Sequence, residues 1–129
     1  MDKLSISPKS KKLLAENTEY DNGLKVEDTI RIAEKIVKVF EDVDDIFVHH
    51  QSIGITPSPS ITFHTERVYS GRKIPELLLS VNLMGGKKYF IEEFGDRTDK
   101  LDYMIYGKLF LKMPKVIEIL DEELKYLGD

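Results

Sequence analysis

Residues 26 to 43 sort their side chains onto opposite halves of a helical wheel, and this constrains the fold more than any other part of the chain. At about 100° per residue, Val26, Ile30, Ile32, Ala33, Ile36, Val37, Val39, Phe40 and Val43 share one half. Glu27, Asp28, Arg31, Glu34, Lys35, Lys38, Glu41 and Asp42 fill the other. An apolar face roughly 180° wide exceeds a coiled-coil seam and suits a helix laid across a sheet. The spacing predicts a helix over 26–43 and a β-layer to cover it.

That layer is sought downstream. After Asp44-Asp45 breaks the pattern, Ile46-Phe47-Val48 starts a segment rich in β-formers. Pro57 and Pro59 remove two backbone donors and predict extended, unpaired backbone over 54–60. Strand character resumes over Ile61–Tyr69, a polar turn follows at Ser70-Gly71-Arg72-Lys73, and Glu76–Met84 reads as a mostly buried strand. Gly85-Gly86 can supply the positive φ angles of a tight primed turn into Lys87–Phe94. These short links imply four antiparallel strands in a meander.

The flanks complete the order. Asp21-Asn22-Gly23 is a turn signal ahead of the first helix. Asp96 to Asp99 has the spacing of a helix start. Leu101, Ile105, Leu109 and Met113 then form an i, i+4 row continued by Val116, Leu120 and Leu127. The β-formers and Gly107 between Tyr103 and Leu111 offer a competing strand; the row favours a helix that Pro114 kinks or restarts. Gly128 supplies a stop. The predicted fold is α+β: an antiparallel four-stranded meander sheet packed by an N-terminal amphipathic helix and a C-terminal helix, in the order α-β-β-β-β-α.

At 129 residues the chain suits one domain, and 41% apolar with 33% charged residues suits a core under a heavily charged surface. Residues 1–20 are expected to form a flexible basic arm, with a short helical piece over 13–19, and 21–129 the single α+β domain. Within residues 1–12 Lys3, Lys9, Lys11 and Lys12 face Asp2 alone, so the remainder of the chain is more acidic than the overall −4. Such an arm can hold phosphates. Ser5, Ser7, Pro8 and Ser10, with no interleaved aromatic, read instead as loop composition, and the acidic body argues against nucleic acid. Zero cysteines exclude disulfides, thiolate nucleophiles and cysteine-held metals. No apolar run nears the roughly 18 residues of a membrane span, and Met1–Leu14 lacks a secretory apolar block. The expected location is the cytoplasm, of the host if the chain is phage-encoded.

Candidate chemistry is sparse. His64 and one of His49 and His50 could share a strand face with Glu66, giving a metal triad or an acid–base pair for a phosphodiester. Adjacent histidines on a strand face opposite sides, and no His-Glu-x-x-His or His-x-His spacing supports the triad. Arg72-Lys73 and Lys87-Lys88 flank turns expected at opposite sheet ends, which weakens a joint phosphate site. Glu123 is the one charge lying among the apolar positions of the last helix, beside Val116, Ile119, Leu120 and Leu127. Tyr103, Tyr106, Phe110 and Met113 fall on neighbouring helical turns and can complete a core or form a contact cluster.

The expectation is a small acidic protein that binds another protein, an accessory, inhibitor or immunity-type factor of a microbe or phage, with Tyr103, Tyr106, Phe110 and Glu123 as contact residues and no cofactor, metal or catalytic group. Two alternatives stand beside it. One is a self-assembling tail or connector subunit of a phage. The other is a small metal-dependent nuclease or phosphoesterase using His64, His49 or His50, and Glu66.

Overall fold

The computed structural model describes residues 3–16, 24–53, 58–84, 88–94 and 100–126. Among these the order is β1 (Leu4–Ile6), α1 (Pro8–Ala15), α2 (Val26–Val39), β2 (Phe47–Ile53), β3 (Ser58–Tyr69), β4 (Arg72–Met84), β5 (Lys88–Glu93) and α3 (Lys100–Tyr126). The α+β class stands. The sheet has five strands in the order β1-β2-β3-β4-β5, antiparallel from β2 to β5, with β1 added parallel to β2. The all-antiparallel four-stranded sheet and the α-β-β-β-β-α order are corrected accordingly. The turns expected at 21–23 and 85–86, loop residues 54–57, the 96–99 helix start and the Gly128 stop lie outside the described residues.

The basic N-terminal segment departs most from expectation. Leu4, Ser5 and Ile6 pair with Val48, His49 and His50, and α1 follows at once. Ser7 caps α1 by accepting from the Ser10 N–H, and Pro8 occupies the first helical turn, where its missing donor costs nothing. A parallel strand needs a long crossover to its neighbour, and the chain between β1 and β2, including α1 and α2, provides it. Lys3 closes the arrangement: its ammonium donates to the Phe40 carbonyl at 2.7 Å and to the Val43 carbonyl, capping the end of α2. Lys3 and residues 4–15 therefore belong to the folded body, not to a flexible arm.

The helix over 26–39 buries Val26, Thr29, Ile30, Ile32, Ala33 and Ile36. It stops four residues before the predicted end, yet Phe40 and Val43 stay buried because the chain turns back into the sheet layer. Beneath it lie Val48, Ile61, Phe63, Leu79, Val81 and Leu83, the inward residues of β2, β3 and β4. α3 adds Ile105, Leu109, Met113, Val116 and Leu120, the predicted row, together with Tyr106 and Leu124. Pro114 sits inside one continuous helix on its exposed side, so the hydrogen bond it cannot give is lost where water reaches the backbone. Pro59 proves compatible with pairing, opposite Ser52.

Beyond the other strands, β3 and β4 continue as a two-stranded ribbon from Thr65 and Glu76 to the turn at Ser70-Gly71. Ser70 at φ 50° and Gly71 at φ 77° both take the left-handed region, as a type I′ hairpin requires. The bulge between Phe63 and His64 marks where the ribbon leaves the sheet.

Candidate functional site

His49 and His50 separate as strand geometry requires. His50 points into the helix layer and is fully buried. Its Nε2 lies 2.9 Å from Thr29 Oγ1, and that hydroxyl donates to the Val26 carbonyl at 2.8 Å. A hydroxyl has one proton, so toward His50 it must accept, and Nε2 carries the hydrogen. Nδ1 then accepts from Ser10 Oγ at 3.1 Å, while Ser10 accepts from Ser7 Oγ at 2.9 Å and from Ser52 Oγ at 3.0 Å. Every buried polar atom in this chain of hydroxyls is satisfied by a neutral imidazole. Burial, reinforced by the charge of His49, pushes the His50 pKa down to about 4. His50 thus ties α1 and α2 to β2.

His49 and His64 come together on the opposite sheet face, with ring centroids 6.0 Å apart in an edge-to-face arrangement. Phe47 stands opposite His64, and His49 opposite Thr62. With Phe47, Ser5, Lys3, Gln51, Glu66 and Pro75, the two histidines line a cleft of about 490 Å³. His49 Nδ1 is 2.6 Å from Ser5 Oγ. His64 Nε2 is 2.7 Å from Thr62 Oγ1, which itself donates to the His49 carbonyl at 3.3 Å, so His64 carries its hydrogen on Nε2 and keeps the Nδ1 lone pair. The same-face placement of His49, His64 and Glu66 is as expected, and His50 stands apart from it.

Cleaving a phosphodiester by acid and base needs one imidazole charged while its neighbour is neutral. Burial lowers the pKa of both His49 and His64, and His49 lowers that of His64 further, so the neutral form of each is favoured near pH 7. Among the described residues no three His, Asp or Glu side chains stand close enough to hold a metal ion. Lys3, the cation lining the cleft, is engaged by the Phe40 and Val43 carbonyls.

The residues expected to form a contact surface divide. Tyr106 is buried, donates to the Leu78 carbonyl at 2.9 Å and packs on the half-buried Phe110 at 5.6 Å. Both secure α3 to the sheet. Glu123 bridges helices, pairing with Lys35 and, at 3.8 Å, with Arg31 of α2. Its out-of-place charge is answered by partners across the helix layer. Because both cations are half exposed, Glu123→Gln is expected to cost about 1 kcal/mol or less in urea denaturation, the loss shrinking as salt is raised. An undiminished loss in high salt contradicts a screened pair.

Only Tyr103 of that set is open, at 69% exposure. Beside it on α3 stand Met104 at 58% and Leu111 at 82%. Helical periodicity does not single out these two, although both lie off the Ile105-Leu109-Met113 row that is buried. Gly107 lies between them and carries no side chain, which leaves the patch flat. No protein-family model, curated protein or solved structure matches this chain.

Proposed function

We propose that this chain works by binding another protein, as an accessory or inhibitor-type factor, and that the outer side of α3 is where it does so. One observation carries the reading: Tyr103, Met104 and Leu111 expose large apolar surfaces within nine residues of a helix whose other side closes the core. Single exposed apolar residues are ordinary, but three grouped on one rigid helix form a patch of the kind that contact surfaces use. Lys108 and Lys112, paired with Asp45 and Asp42, border the patch with charge. Burial favours the neutral form of both His49 and His64, so the reading rests on the α3 patch and not on that cleft.

The test uses the tagged full chain as bait in cells that express it natively, beside a variant carrying Tyr103→Glu, Met104→Glu and Leu111→Glu. The exposed positions should tolerate the changes, with a melting temperature within a few degrees of the parent. The expected result is a partner retained by the parent and lost by the variant. Retention of the same partner by the variant contradicts the reading.

A further inference from the structure

The two edges of the sheet are unlike. β1 is three residues long and offers little to pair with. β5 is six residues long, pairs among the described residues with β4 alone, and holds its register from Lys88 to Glu93 without a bulge. It contains no proline, and α3 packs on its face: Tyr89 donates to Asp121 Oδ1 at 2.8 Å. The outward backbone groups of such a strand form a template for another strand. Charged side chains usually guard such edges, and here Lys88 and Glu92 are exposed on the open sheet face on either side of Phe90, itself 46% exposed.

That Lys-Phe-Glu row is self-complementary. A two-fold axis perpendicular to the sheet pairs β5 antiparallel with its own copy and keeps each face on the same side. Centred on Phe90, it sets Phe90 against its symmetry mate, Lys88 against Glu92 of the second copy, and Glu92 against that copy's Lys88. On the helix side Tyr89 meets Ile91. A shift of two residues toward the C-terminus sets Phe90 against Glu92 and Lys88 against Phe94, losing both ion pairs. The charges that would repel a foreign strand select this one register for self-pairing.

We infer that β5 is a self-association edge, joining two copies of this chain into one continuous sheet through antiparallel pairing centred on Phe90. This goes beyond the α3 contact and does not depend on it.

Sedimentation equilibrium of the full chain over a concentration series tests it. The parent should pass from one chain mass toward two. Lys88→Glu alone, or Glu92→Lys alone, places like charges opposite each other twice per dimer and should weaken association about tenfold. The double exchange Lys88→Glu with Glu92→Lys should restore it. The chain has no cysteine. Phe90→Cys should therefore form a disulfide-linked dimer on mild oxidation, because opposed Cα atoms lie about 4.5–5.5 Å apart. Lys88→Cys should not, since its symmetry mate lies about 13 Å along the strand. A parent that stays monomeric at all concentrations overturns the inference. So does association indifferent to the charge exchange, linkage as efficient through Lys88→Cys as through Phe90→Cys, or occupation of this edge only by a different protein.

Discussion

Phe63→Ala is expected to lower the stability of this protein by about 3–5 kcal/mol. Phe63 projects from β3 into the helix layer, is completely buried, and meets Phe40 with ring centroids 5.3 Å apart and planes tilted by 56°. That tilted pair joins the end of α2 to the centre of the sheet, so truncation removes apolar area and a ring–ring contact together and leaves a cavity between two rigid layers. A domain of this size has about 5–15 kcal/mol in all, so the loss is a large share of it. The midpoint of urea denaturation should fall sharply with little change in slope. Leu111→Ala, at a side chain already 82% exposed, is the control and should move stability by less than about 0.5 kcal/mol. Equal effects at the two positions contradict the assignment of Phe63 to the core.

Acid should weaken the fold through His50. The unfolded chain takes up its proton near pH 6.5, whereas the folded protein resists protonation until about pH 4. Protons therefore favour the unfolded state. The contribution is complete above about pH 6.5 and is lost as pH falls toward 4, amounting to about 3 kcal/mol across that window. The structural reason is specific: a second proton on His50 would fall on Nδ1, where Ser10 already donates, and would put a charge beneath α1 and α2. His49 and His64, also shifted downward by burial, add to the slope in the same direction. Denaturation measured from pH 7.5 to 4 should show this loss, and His50→Gln should flatten most of it. An unchanged slope in that variant would place the acid sensitivity elsewhere.

What could be read from the residues follows from how strongly each is signalled. α2 was legible because its charged and apolar residues are separated without exception; its last turn was overrun because Val43 fits the wheel while being buried by a turn. The inner row of α3 was legible for the same reason. β1 was not, since a three-residue alternation among lysines and serines is shorter than any period it could display. α1 did announce itself, through Ser7 as cap and Pro8 in the first turn, but the same residues also fit a loop. The His50 network is built from Ser7, Ser10, Thr29 and Ser52, hydroxyls that in sequence look like surface. The meeting of His49 and His64 followed from strand alternation, whereas their protonation depends on burial, which alternation does not encode. Tyr106 and Leu111 show the remaining gap: periodicity finds an apolar helix, and only tertiary packing decides which flank is covered.

Hydrogen exchange on the chain alone and on the chain bound to its captured protein partner locates the contact most directly. The account predicts added protection over residues 103–111 of α3, with the strands around His49 and His64 unchanged. Protection confined to 47–51 and 62–66, with 103–111 exchanging as in the unbound chain, would contradict it.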